Sequence, residues 1–272
     1  MKKLFRRALS GFVFVSVLIF CIYYSKISFI GLFYILMTLC LYEFKKMIQL
    51  KSYFPYIIGS LIFVFGNILN VEDVPSRALF EYSGVALFLT IFISFVSILF
   101  AKKNEVISHL GKIFLTIIYI VVPFTLMVQI PFLNATFDYV NSIILGVFIL
   151  IWTNDTFAFL VGKNLGKHKL LERISPNKTI EGFIGGMIFT FGVSIILANQ
   201  FGQILSIIQW VVIAGIVSIF GVLGDLIESM FKRQAGVKDS SNLIPGHGGF
   251  LDRLDSAIFS APFIFIYLQL VQ

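Results

Sequence analysis

Apolar runs long enough to cross a bilayer recur along almost the whole chain, separated by short polar breaks. A spanning helix needs about 20 mostly apolar residues. Nine stretches qualify: 8–24, 28–43, 53–70, 79–100, 113–132, 139–161, 180–199, 205–231 and 254–271. The second is short, and the sixth and eighth carry acids near their C-terminal ends. No fixed-period repeat or low-complexity linker interrupts the pattern, and the breaks leave no room for a separate soluble domain. The pattern predicts an all-α, polytopic integral membrane protein with about nine transmembrane helices. Residues 1–135 read as a scaffold of N-terminal helices. Residues 136–272 read as a C-terminal transmembrane catalytic region, because the polar clusters fall there.

Composition agrees with the pattern. Of 272 residues, 58% are hydrophobic and only 13% are charged, where a soluble domain has about 25% charged residues. Too little polar surface is left to face water. Cys21 and Cys40 both lie in apolar runs without a CxxC partner, which argues against a disulfide framework or a zinc site. The start, MKKLFRRALSGFVFVSVLIFCIYY, has the basic and apolar regions of a signal peptide but no small-x-small cleavage site. It reads as a retained first membrane helix.

Charge then orients the chain. With a cytoplasmic N-terminus, alternate loops should carry the Lys and Arg residues. On nine spans, 19 of the 21 basic residues fall on that side, leaving only Lys26 and Arg77 opposite. The long polar loops 162–179 and 232–253 therefore both face the cytoplasm. The formal net charge of +7 gathers on one face, suited to anionic headgroups and polyphosphates. An ordinary positive-inside bias explains the sign, but not the acids and glycines in the same loops.

The densest polar stretch is Gly224 to Asp255, GDLIESMFKRQAGVKDSSNLIPGHGGFLDRLD. Ionisable groups at a membrane boundary mark functional sites by default. Asp225, Glu228, Ser229 and Lys232 are spaced to share one helix face. Asp252 and Asp255 open the last helix from the same side. Clustered hard oxygens suit Mg²⁺, which binds through one or two carboxylates plus substrate phosphates. Lys238 and Arg253 could neutralise phosphate, and Gly246, Gly248 and Gly249 let backbone N–H groups approach an anion. His247 either orients a phosphate or acid or merely fixes its loop.

Two upstream stretches add candidates. Asp155 sits just inside the end of an apolar helix, paired with a neighbouring lysine or serving the site; Gly162 and Gly166 end that helix. In ISPNKTIEGFIGG, Ser175 and Pro176 suggest a turn, and Thr179 to Gly182 a helix entry with Glu181 in the first turn. Free amides there, with Lys178, form a plausible anion cradle. Gly182, Gly185 and Gly186 permit close helix contact. No P-loop, HExxH, CxxC or nucleophile elbow occurs. The residues alone argue for metal-assisted chemistry on a phosphate and leave the phosphate unnamed.

Residues Ser229 to Asp255 closely resemble the signature of the phosphatidate cytidylyltransferases, or CDP-diacylglycerol synthases: S-x-apolar-K-R, four residues, K-D, then H-G-G-apolar-x-D-R-apolar-D. The upstream D-x-x-A-aromatic, G-K-x-x-G-K and S-P-x-K-T-x-E-G stretches are similar to that family as well. The resemblance is clear over roughly 150–258 and rests on hydropathy alone before that. Asn177 stands where many members have a second Lys, and Phe159 where Tyr is common.

The resemblance implies the reaction CTP + phosphatidate → CDP-diacylglycerol + pyrophosphate, with Mg²⁺ and room for a second, monovalent cation such as K⁺. It implies that Asp225 and Asp252 hold the cations and that Ser229 and Lys232 act beside them. Asp155, Ser175, Lys178, Arg233, Lys238, His247 and Arg253 would bind the substrates. The implied partners are CTP, phosphatidate and the bilayer, with no nucleic acid; a homodimer is compatible. The expected location is a bacterial inner membrane with the site facing the cytoplasm. A CDP-alcohol phosphotransferase would need D-G-x-x-A-R, a polyprenol-type transferase D-D-x-x-D, and neither occurs. A transporter would carry its acids near the bilayer midplane on broken helices.

Overall fold

The computed structural model describes residues 2–68, 106–133, 138–201 and 204–271. Helices dominate: α1 (Lys2–Tyr24), α2 (Lys26–Met47) and α3 (Phe54–Ile68) come first. Helix α4 runs through Val106–Thr116, a π turn at Ile117–Val121 and Val122–Gln129, with a 3₁₀ turn at Ile130–Phe132 beyond it. Helix α5 is Asn141–Leu165, and a two-stranded antiparallel hairpin follows, β1 (Lys169–Leu171) and β2 (Ser175–Thr179). Helix α6 is Ile180–Phe201. Helix α7 comprises Ile207–Ile216, a second π turn at Val217–Gly221 and Val222–Gln234; α8 is Leu251–Val271.

Among the described residues, seven helices are long and apolar enough to cross a membrane. The protein is thus a polytopic helical membrane protein. The expected span at 53–70 is a shorter apolar helix of 15 residues, and the expected span at 79–100 lies outside the described residues. Ser175 and Pro176, expected as a turn, instead open β2. Proline is tolerated at the first positions of a strand because few ladder donors are needed there.

Local chemistry explains where helices begin. Ser25 caps α2, its hydroxyl accepting from the Ser28 amide at 3.1 Å while the Ser28 hydroxyl accepts from the Ser25 amide. Ser206 and Gln209 form the same reciprocal box at the start of α7, satisfying amides that a helix N-terminus leaves unpaired. Thr179 takes the Gly182 amide at 3.1 Å and starts α6, as its spacing predicts.

The chain divides into two compact units. The first contains residues 1–129 and 239–251, the second 130–238 and 252–272. In the first, aromatic rings form the core: Phe29 and Phe33 lie 4.6 Å apart, and Phe44 and Tyr119 5.1 Å apart. In the second, α5 and α6 meet backbone to backbone. A Cβ on Gly182 would come within 2.7 Å of the Ala158 carbonyl, and one on Gly186 within 2.9 Å of the Asn154 carbonyl. Dispersion over such small-residue contacts is what joins helices in lipid. Trp210 fills the space that Gly146 leaves open, its ring lying where a Cβ would be.

Candidate active site

The site is built in the second unit, where the polar face of α7 meets the first turns of α8. Gly224 makes the meeting possible: a Cβ there would lie 2.6 Å from both the Asp255 carbonyl oxygen and the Phe259 Cβ. The two helices therefore touch through backbone one residue before Asp225. Close approach brings the Asp225, Glu228 and Asp255 carboxylates together, with an oxygen from each within 4.8 Å of the others. Glu228 is fully buried and Asp255 9% exposed.

Two amines enter the same cluster. Lys178, from the end of β2, places Nζ 2.6 Å from Asp225 Oδ2. Lys232, one turn beyond Glu228, donates to Glu228 Oε2 at 2.5 Å and to Asp252 Oδ1 at 2.7 Å. Its side chain is only 12% exposed, against 1% for Glu228 and 6% for Asp252. Ser229 donates its hydroxyl to Asp225 Oδ1 at 3.2 Å. Asp155 completes the group from α5, close enough to feel the charges of Asp225, Lys178 and Arg253. Burial strengthens the two contacts of Lys232, where little water intervenes, more than that of Lys178 with Asp225, which is partly exposed.

The cluster holds one conspicuous imbalance. Glu228 Oε1 is buried and, among the described residues, has no hydrogen-bond partner. A buried carboxylate oxygen left so is costly, and it points to a further cation as its natural complement. Three carboxylates of hard oxygen meet the donor chemistry of Mg²⁺.

Of the sequence candidates, Asp155, Lys178, Asp225, Ser229, Lys232, Asp252 and Arg253 come together. Ser175 opens β2, three residues before Lys178. Arg233 and Lys238 are exposed at the end of α7 and beyond it. His247 Nδ1 lies 2.8 Å from the Ser10 hydroxyl of α1, the contact that a loop-fixing histidine makes. Glu228 and Asp255, legible as acids on the right faces, take a larger part than the sequence candidates gave them. Glu181 accepts from the amides of Lys167 at 3.0 Å and His168 at 3.2 Å and lies 2.6 Å from His168 Nδ1, tying the start of the hairpin to α6.

Fold and site together define a helical membrane protein whose spanning helices carry a buried centre of carboxylates and amines. Residues 5–271 match the cytidylyltransferase family, and the chain belongs to it. It is 36% identical, over 97% of each chain, to a phosphatidate cytidylyltransferase of Bacillus subtilis (strain 168). It is also 51% identical over 125 residues to the phosphatidate cytidylyltransferase of Staphylococcus haemolyticus (strain JCSC1435), covering 46% of this chain and 48% of the relative. That of Staphylococcus aureus (strain COL) is 50% identical over 127 residues, with the same coverage.

Proposed function

We infer that this chain is an integral membrane enzyme that transfers the cytidylyl group of CTP to phosphatidate, forming CDP-diacylglycerol and releasing pyrophosphate. The observation that carries the reading is the convergence of Lys178, Asp225, Ser229, Lys232 and Asp252 in one partly buried cluster, in a chain that matches the family over nearly its full length.

In the transfer, an oxygen of the phosphatidate phosphate attacks the α-phosphorus of CTP, and the bond from that phosphorus to the bridging oxygen of pyrophosphate breaks. The attacking oxygen is already ionised at neutral pH, so no side chain must remove a proton. What remains is the repulsion between two anions and the charge that builds on the leaving group. Cationic groups aimed at developing charge supply that stabilisation. Lys178 and Lys232 are held in advance by carboxylates, so little ordering is left for the moment of reaction. Arg253, one residue after Asp252, adds a third positive charge near Asp155.

Asp225, Glu228 and Asp255 would hold Mg²⁺, with Asp225 shared between this trio and the Asp225–Asp252 pair that the family resemblance implies. Bound there, the ion would neutralise phosphate oxygens and act as a Lewis acid. The excess of Lys and Arg in loops 162–179 and 232–253 supports a site that opens toward the cytoplasm. Phosphatidate keeps its acyl chains in the bilayer, and CTP arrives from the aqueous side.

The test uses protein purified in detergent, phosphatidate, Mg²⁺ and CTP labelled in the cytosine ring. Label should pass to the lipid phase only with phosphatidate present, and should stop with EDTA or with Asp252→Asn. Folded protein that moves no label into lipid across several cations would refute the reading.

A further inference from the structure

Outside this centre lies a second buried acid. Glu43 is in the last two turns of α2 and is fully buried. An isolated carboxylate out of water is strongly unfavourable unless donors surround it. Among the described residues four do, and all are neutral. Glu43 Oε1 accepts from the Ser241 hydroxyl at 2.6 Å and the Phe250 amide at 2.9 Å. Oε2 accepts from the Ser240 hydroxyl at 3.0 Å and the Leu251 amide at 2.8 Å. Each oxygen thus takes one hydroxyl from the beginning of the loop 239–251 and one backbone amide from its end.

The arrangement closes the loop on a single carboxylate. Its entry at Ser240 and its exit at Leu251 are pinned together, and between them Ile244 and Gly248 form an antiparallel bridge. The Leu251 amide belongs to the first turn of α8, where helical amides lack intrahelical partners and the dipole favours negative charge. Glu43 therefore caps α8 from another helix. Gly249 is shaped by the same contact: a Cβ there would lie 2.5 Å from both Glu43 oxygens. The second glycine of the His-Gly-Gly run is needed because a carboxylate occupies the space of its side chain.

We propose that Glu43 is a positioning residue for cytidylyl transfer: by closing the loop and accepting from the Leu251 amide, it fixes the backbone that runs directly into Asp252 and Arg253. The proposal rests on the function inferred above. Glu43 touches no reacting atom in this role and acts through the backbone of the loop.

Label transfer by the purified full-length protein tests it, with KM for CTP, KM for phosphatidate, kcat and the folded fraction measured for each variant. Glu43→Gln keeps the size but offers one oxygen, and turns its NH₂ toward a hydroxyl and an amide that both donate. We expect KM for CTP to rise about tenfold and kcat to fall at least about tenfold in the folded fraction. Glu43→Asp, which keeps the charge, should recover part of both. Gly249→Ala, which keeps the Glu43 side chain but crowds its carboxylate, should reproduce the KM change. A purely structural anchor would lower the folded fraction and leave both KM values at wild type; that result overturns the proposal. Wild-type protein that transfers no label would instead refute the function itself.

Discussion

Lys232 is the residue on which the charge balance of the centre turns. Its ammonium sits between Glu228 at 2.5 Å and Asp252 at 2.7 Å, and all three side chains are at most 12% exposed. Lys232→Met keeps the length and apolar stem of the side chain and removes only the charge. Two buried carboxylates then face each other without their shared cation. Breaking a buried pair by removing one partner destabilises by about 3–5 kcal/mol, and solvent screening is too weak here to reduce that much. Adding Glu228→Gln removes one of the two stranded charges, so the double variant should regain about 1–2 kcal/mol relative to the sum of the single losses. SDS-induced unfolding in mixed micelles gives the stability side of the cycle, and label transfer the catalytic side. Turnover should fall at least about a hundredfold in Lys232→Met, as expected when a charge-assisted contact of roughly 3 kcal/mol disappears from the transition state. Stability changes that add within about 0.5 kcal/mol would refute the reasoning, because a cation shared by two acids cannot give independent effects.

Two other perturbations probe how the centre is held. Gly224→Ala places a methyl 2.6 Å from the Asp255 carbonyl and Phe259. It should destabilise by about 1–3 kcal/mol through overpacking and cut turnover more than Gly192→Ala, where a Cβ meets nothing within 4 Å; equal behaviour of the two would contradict the close helix contact. Glu181→Gln should loosen residues 167–168, which its carboxylate holds, and speed tryptic cleavage at Lys167 and Lys169 while leaving global stability nearly unchanged; unaltered cleavage would show that the tie is not limiting.

Particular residues show what could be read without coordinates. Asp225, Glu228, Ser229 and Lys232 were legible because helical spacing alone puts them on one face, and α7 keeps that face. Seven of the expected spans were legible because lipid demands long apolar runs whatever the packing. The partner of Lys232 was not, since choosing among Asp225, Asp252 and Asp255 depends on how far α8 is rotated against α7, and the contact at Gly224 sets that. The π turn at Val217–Gly221 was equally silent: no local residue pattern marks it, though it precedes the acid-bearing face. Glu43 escaped for another reason. It meets the same criterion as Asp155, an acid at the end of an apolar helix, but its partners lie 197 to 208 residues away, where no spacing rule reaches.

That separation bears on how the protein is made. Glu43 enters the membrane with α2 long before the serines and amides that surround it exist. At 5–20 residues per second, the 197 residues from Glu43 to Ser240 take roughly 10–40 s to synthesise. Through that interval Glu43 lacks the hydroxyls and amides that surround it in the folded chain. The first unit can be completed only when the loop arrives. Assembly of that unit is thus closed by a segment made long after its first helices, and a chain released before it would lack both the loop and the acids of α8.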